Sequence, residues 1–255
     1  MKTTHDYVKE NWDYLLIIDA CRYDVFEEVV KERGLKGKLT LFDTRCGQTP
    51  TWYRKYWSYK DSDIHLISSN PQPFMTVCTW DAHKRFKTAR WADPESSTEG
   101  EFIKKWLKKD EQTWNPDIVL DVFERYHWPG SRYLLHFMPP HLPYLGEKGK
   151  SLLKKLGVVN NPHRNIYDAV RDYGRQGHWD EVRECYKENL EYVLDKIYAR
   201  LDLFPGKVVI SSDHAEMLGE PNFDDQGIFG HGREAGPKSP VWEKIRQVPW
   251  FEVKR

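Results

Sequence analysis

The chain of 255 residues contains few cysteines, and none of them are spaced to bind zinc. The four cysteines are widely scattered and form no CxxC pair: Cys21, Cys46, Cys78 and Cys185. This spacing gives no support to a zinc ribbon. We therefore expect free thiols in a reducing compartment.

The sequence also lacks a net charge and a long apolar run. Lys+Arg and Asp+Glu both number 39, which argues against a nucleic-acid partner bound through bulk positive charge. The mean hydropathy is −0.76, and no apolar stretch approaches the roughly 18 residues of a membrane span. Residues 1–14 lack the apolar core of a signal peptide. The sequence thus predicts a cytoplasmic protein without a membrane span.

Short apolar runs alternate with amphipathic stretches along most of the chain. Strands are predicted at 14–19, 38–44, 63–69, 131–138, 207–210 and 248–253. Helices are predicted at 22–34, 49–57, 115–127, 163–175 and 179–202, with short helices around 81–90 and 101–109. This alternation favours one α/β domain over residues 1–255, a three-layer sandwich with a mostly parallel central sheet and helices on both faces.

Three side chains of metal-ligand type follow predicted strands. Asp19 ends the first strand, and Asp213 and His214 end the strand that begins with KVVI. The carboxyl ends of parallel strands meet at one edge of a sheet, so these side chains are expected to converge. Two carboxylates and an imidazole suit zinc or manganese. Taken alone, each residue has a plainer interpretation, such as a helix N-cap for Asp19.

A hydroxyl and several histidines could complete such a site. Thr49, in RCGQTPTWYRK, opens a predicted helix, where backbone N–H groups favour anions; the alternative is a simple N-cap. The segment HFMPPHLPY contributes His136 and His141, and its prolines stiffen the loop. His231 lies between glycines in FGHG. Exposed loop histidines are the plainer alternative.

These motifs resemble those of sulfatase-like members of the alkaline phosphatase superfamily. LLIIDACRYD, Thr-Pro-x-Trp at 49–52, HFMPPHLPY and SSDHAEMLGE with its downstream FGHG follow the same order, from about residue 14 onward. The SDH-x-E-x-LGE element with GHG is similar to that of sulfatases and of lipid A phosphoethanolamine transferases. PHLPY is similar to the sulfatase motif PHxPY.

The resemblance implies a particular set of site residues. A divalent ion would be held by four side chains, those of Asp19, Thr49, Asp213 and His214. His141 and His231 would face the substrate anion or a second metal and act with Thr49 in catalysis. His136, together with His141, is a further candidate for substrate binding. Arg22 is expected to pair with Asp24 at the first helix, with a substrate contact as the alternative.

The sequence departs from the sulfatase pattern at the nucleophile. Sulfatases carry Cys-x-Pro-x-Arg, whereas Cys46 is followed by Gly-Gln-Thr-Pro. Family members with a threonine nucleophile therefore fit better, with Thr49 favoured and Cys46 and Thr51 as alternatives. The single Asp19, where many sulfatases have two aspartates, favours zinc or manganese over calcium or magnesium.

The resulting prediction is a metal-dependent hydrolase or transferase of phosphate esters. Phosphodiesters or phosphonate esters would react through a covalent intermediate on a threonine. The alternatives are a sulfatase that uses Cys46 and a non-catalytic binding module that has kept its metal ligands. The substrate would be a small-molecule, glycan-linked or lipid-linked anionic ester, selected by residues 70–130 and 145–180.

Overall fold

The computed structural model describes residues 6–57, 61–74, 82–92, 114–158, 165–221, 227–231 and 237–255. The strands are β1 (Tyr14–Ile18), β2 (Gly37–Asp43), β3 (Asp61–Ser68), β4 (Phe86–Trp91), β5 (Arg132–Phe137), β6 (Val208–Ser211), β7 (Met217–Glu220), β8 (Ile228–Gly230) and β9 (Gln247–Val253). The helices are α1 (Tyr23–Arg33), α2 (Thr49–Tyr56), α3 (Pro116–Tyr126), α4 (Glu147–Lys155), α5 (Ile166–Tyr173), α6 (Trp179–Tyr198) and α7 (Trp242–Ile245). A π-helical turn, Gly174–His178, joins α5 to α6.

Seven strands form one sheet in the order β2-β9-β6-β1-β5-β3-β4. Strand β1 lies at its centre and pairs in parallel with β5 and β6. Within this sheet, among the described strands, only the pairs that β9 makes with β2 and β6 are antiparallel. The prediction of a mostly parallel central sheet is confirmed.

Each face of the sheet carries its own apolar core, because successive side chains of a strand point to opposite faces. On one face, Leu16 and Ile18 of β1 pack in the cluster that includes residues of α1, α3 and α6. On the other face, Leu15 and Ile17 pack in the cluster that includes Trp52 of α2. The three-layer arrangement with helices on both faces follows directly. The assignment of residues 1–255 to a single domain stays a prediction.

The expectation of a short helix around 81–90 is wrong. Residues Ala82–Lys84 form one 3₁₀ turn, and the following FKTARW is strand β4, which pairs in parallel with β3. The pairing with β3 supplies backbone hydrogen bonds that local propensity does not register, and the basic side chains suit an edge strand. The helix predicted at 101–109 lies outside the described residues. Helix α4 and the small β7–β8 hairpin were not predicted.

Candidate metal centre

Asp19, Asp213 and His214 converge at the carboxyl edge of the sheet. Neighbouring strands β1 and β6 are in register at Ile17 and Ser211, so the chain leaves both strands at the same level. His214 Nε2 lies 3.3 Å from Asp213 Oδ2 and 3.8 Å from Asp19 Oδ1. One ligand atom from each of the three lies within 4.8 Å of the others. All three side chains are buried.

The acceptor atoms of this cluster are arranged to bind a divalent cation. His214 Nδ1 lies 2.9 Å from the carbonyl of Ala215 and donates to it, which leaves the lone pair of Nε2 directed at the carboxylates. Asp213 Oδ2 is buried and has no hydrogen-bond partner among the described residues. An unpaired buried carboxylate oxygen is costly unless a cation compensates it. Burial also lowers the pKa of His214, although the charge of Asp213 opposes the shift.

Thr49 lies against this cluster at the first residue of α2. Its Oγ1 is 3.3 Å from His214 Nε2, and the side chain is buried. Pro50 in the first turn suits the helix start, because its missing N–H is not needed there. The structure thus brings together the four residues that the resemblance implies as metal ligands.

The two alternative nucleophiles are placed differently. Thr51 Oγ1 donates to the carbonyl of Gln48 at 2.7 Å. Cys46 belongs to the apolar cluster beneath the sheet, and burial raises the pKa of its thiol, which disfavours the thiolate. Both assignments stay predictions, and the geometry favours Thr49.

A second group of ligand-type side chains lies beside the first. It consists of His141, Glu216 and His231, whose ligand atoms also lie within 4.8 Å of one another. His231 Nδ1 is 3.3 Å from Glu216 Oε1, and the rings of His214 and His231 are 4.3 Å apart. Glu216 Oε2 has no hydrogen-bond partner among the described residues.

The electrostatics of this second group favour a charged pair. Burial raises the pKa of Glu216, but nearby His141 and the hydrogen bond with His231 outweigh it and lower that pKa overall. Burial likewise lowers the pKa of His231, yet the contact with Glu216 outweighs it and raises that pKa. A cationic His231 can therefore face an anion, and a neutral one can bind a metal.

The β7–β8 hairpin holds Glu216 and His231 at its two ends. Strand β7 contains Gly219, which has φ +103°. A Cβ at that position would lie 2.4 Å from the ring of Trp179, which packs across the hairpin. The glycine of the LGE motif is therefore required by backbone conformation and by close packing.

His136, predicted to contact substrate, and Arg22, for which a substrate contact was the alternative, are both engaged within the protein. His136 is buried and lies between Tyr53 and Asp19, at 2.8 Å and 3.1 Å. Arg22 pairs with Asp24, as expected from the sequence, and its Nη1 reaches Glu220 at 2.5 Å. Direct contacts of these two residues with substrate stay predictions.

Several residues that shape the site were not predicted from the sequence. Tyr167 of α5 lies 2.7 Å from His141 Nε2. Asn189 of α6 donates from Nδ2 to the carbonyls of Pro140 and His141, at 3.1 and 3.3 Å, and its Oδ1 accepts from the N–H of Leu145 at 2.8 Å. The signal for Asn189 was present, because it is a polar residue on the apolar face of an amphipathic helix.

Replacing Asn189 is expected to destabilise the loop that carries His141. Asn189→Ala leaves buried backbone groups of this loop without partners, at a cost of about 1–3 kcal/mol. Urea denaturation followed by circular dichroism measures the loss. Glu191→Ala, at a partly exposed position of the same helix, is the matched control, and an equally small effect of both variants would contradict this role for Asn189.

Comparisons with known proteins give matches among solved structures. The C-terminal periplasmic domain of EcEptC from Escherichia coli matches with a TM-score of 0.54 and 11% sequence identity, over 99% of this chain and 75% of that chain. The corresponding domain of phosphoethanolamine transferase EptC from Campylobacter jejuni matches with a TM-score of 0.44 and 13% sequence identity, over 99% of this chain and 82% of that chain. Phosphonate monoester hydrolase of Agrobacterium radiobacter matches with a TM-score of 0.46 and 13% sequence identity, over 95% of this chain and 68% of that chain.

No protein-family model matches the chain, and the search of curated proteins gives no match. Among the described residues, no helix is both long and apolar enough to cross a bilayer. The match to the Escherichia coli domain, the sheet topology and the sequence motifs agree with one another. The chain therefore has an α/β fold of the alkaline phosphatase-like type, with a mostly parallel sheet between layers of helices.

Proposed function

We propose that this protein is a metal-dependent transferase or hydrolase of phosphate esters, with Thr49 as its nucleophile. The observation that carries this proposal is the position of Thr49 Oγ1, 3.3 Å from His214 Nε2 at the edge of the cluster with Asp19 and Asp213. The unpaired Asp213 Oδ2 supports an ion at this point. Zinc or manganese suits a set of two carboxylates, an imidazole and a hydroxyl.

Asp19, Asp213, His214 and Thr49 would hold this ion. A bound divalent ion would lower the pKa of the Thr49 hydroxyl and neutralise charge on the phosphoryl oxygens. The Thr49 oxygen then attacks phosphorus, a new O–P bond forms, and the bond to the leaving alcohol breaks. Water or an acceptor alcohol attacks the phosphothreonine in the second step and restores the hydroxyl.

The second group of residues, His141, Glu216 and His231, would act on the phosphoryl group. The contact with Glu216 raises the pKa of His231, and a protonated ring would stabilise the oxyanion or protonate the leaving oxygen. The alternative is a second ion at these three residues, which the unpaired Glu216 Oε2 also suits. Metal analysis decides between the two: one ion per chain supports the protonated His231, and two ions support the second metal.

A substrate panel tests the proposed function. Protein reconstituted with Zn²⁺ or Mn²⁺ is assayed with p-nitrophenyl phosphate, bis-p-nitrophenyl phosphate, a p-nitrophenyl phenylphosphonate and p-nitrophenyl sulfate. We expect turnover of the diester or the phosphonate that disappears with EDTA and persists in Cys46→Ser, because Cys46 belongs to the apolar core.

The same panel identifies the two alternatives. Sulfate turnover that is lost in Cys46→Ser would establish the sulfatase and contradict the threonine nucleophile. No turnover of any ester by protein with bound metal would favour the non-catalytic binding module. The cytoplasmic location predicted from the sequence is a separate proposal, which cell fractionation tests.

A further inference from the structure

Two buried residues hold one oxygen of Asp19. Asn70 Nδ2 lies 2.6 Å from Asp19 Oδ2, and His136 Nε2 lies 3.1 Å from the same oxygen. The other oxygen, Oδ1, faces His214 Nε2 at 3.8 Å. The carboxylate is therefore oriented with Oδ2 accepting hydrogen bonds from Asn70 and His136, while Oδ1 is directed at the ion site.

The orientation of the Asn70 amide follows from its second partner. Asn70 Oδ1 accepts from the N–H of Gln72 at 2.9 Å, so Nδ2 is the atom that donates to Asp19. The hydroxyl of Ser68 also donates to the carbonyl of Asn70 at 2.9 Å. The loop after β3 thus presents a fixed donor to Asp19.

The position of the hydrogen on His136 also follows from its neighbours. A carboxylate only accepts hydrogen bonds, so His136 Nε2 must carry the hydrogen that it donates to Asp19. His136 Nδ1 lies 2.8 Å from the phenol oxygen of Tyr53 and then accepts from that hydroxyl. Tyr53, His136 and Asp19 are each no more than 2% exposed, so solvent competes little with these bonds.

Tyr53 joins this set of hydrogen bonds to the candidate nucleophile. Thr49 and Tyr53 are four residues apart on α2 and so lie on the same face of the helix. One helix therefore carries the hydroxyl next to His214 and the phenol that bonds to His136. Through His136, α2 is connected to Asp19 at the end of β1.

We propose that Tyr53, His136 and Asn70 are positioning residues for the metal centre. They fix Asp19 with Oδ1 facing the ion, and they set the separation between this ligand and Thr49. The inference rests on the proposed function, because it assigns these residues to the same ion site. It gives His136 a role behind the metal ligand, in place of a contact with substrate.

The first test uses metal-free protein. Nitrogen-15 NMR of the histidine side chains is expected to show His136 with its hydrogen on Nε2, and with an Nδ1 resonance that shifts in Tyr53→Phe. A hydrogen on Nδ1, or no response to Tyr53→Phe, would overturn the proposal. This readout requires neither metal nor turnover.

The second test uses Co²⁺ as the probe ion, with affinity measured by chelator competition and geometry by visible absorption. His136→Phe removes both ring nitrogens and is expected to weaken Co²⁺ binding by about 10–100-fold. His136→Gln keeps an N–H donor and should recover part of that loss. Tyr53→Phe should change the visible spectrum with a smaller loss of affinity.

Tyr133→Phe is the matched control for the second test. Tyr133 lies on β5 like His136, but its hydroxyl accepts from the N–H of Trp128, so its removal should leave the Co²⁺ affinity and spectrum unchanged. Wild-type affinity and spectrum in both His136→Phe and Tyr53→Phe would overturn the proposal. A wild-type protein that binds no Co²⁺ contradicts the proposed function, and the NMR result then decides whether Asp19 is oriented in this way.

Discussion

Thr49→Ala is expected to abolish ester turnover, with kcat lower by roughly 10⁴-fold or more. The variant removes the Oγ1 that lies 3.3 Å from His214 Nε2, and with it the atom that would attack phosphorus. Asp19, Asp213 and His214 remain, so the ion should still bind. Steady-state assays with bis-p-nitrophenyl phosphate measure the loss, and chelator competition measures the retained metal.

Thr49→Ser is the matched control, because it keeps a hydroxyl at the same position. It should retain turnover and form a phosphoryl adduct that peptide mass spectrometry places on residue 49 after an acid quench. The alanine variant should form none. Turnover by Thr49→Ala at the wild-type rate would contradict the assignment and direct attention to Cys46 and Thr51.

Asp213→Asn is expected to have opposite effects on stability with and without metal. In metal-free protein, the asparagine replaces an unpaired buried carboxylate oxygen with an amide that can donate to His214 Nε2. Removal of this unsatisfied group should raise the free energy of unfolding by about 1–3 kcal/mol. With metal, the variant should lose the stabilisation that binding gives the wild type, about 4 kcal/mol at a free ion concentration about a thousand times Kd.

Urea denaturation in EDTA and in excess Zn²⁺ measures both effects. The control is Asp24→Asn, which removes a carboxylate paired with Arg22 instead of an unpaired one. That variant should be less stable than the wild type under both conditions, by the same amount. If Asp213→Asn destabilised the metal-free protein, Asp213 would have a compensating partner and the ion site would be contradicted.

The main elements of the fold could be predicted because they depend on local sequence. Strand β1 is a continuous apolar run, and α6 has an apolar face that includes Val182, Leu190 and Val193. Apolar runs and apolar helix faces of this kind indicate directly which residues are buried. Strand β4 could not be predicted in this way, because FKTARW becomes a strand only by pairing with β3.

The residues that form the candidate metal centre were also accessible from the sequence. Asp19, Asp213 and His214 each follow an apolar strand, and parallel strands bring their carboxyl ends together. Thr49 opens a helix that starts with a proline. The residue types and their positions after strands were therefore sufficient to propose Asp19, Asp213 and His214 as ligands, whereas Thr49 was added by the resemblance of the motifs to those of a known family.

The partners of those residues were decided by tertiary structure alone. Asn70, Tyr53 and Asn189 are far from Asp19 and His141 in the sequence, and their hydrogen bonds depend on how β3, α2 and α6 pack. The sequence by itself determined which side chains could bind an ion and at which edge of the sheet. Only the packed fold decided which oxygen of Asp19 faces His214 and the candidate ion site, because this depends on hydrogen-bond distances that are set by contacts between elements distant in the chain.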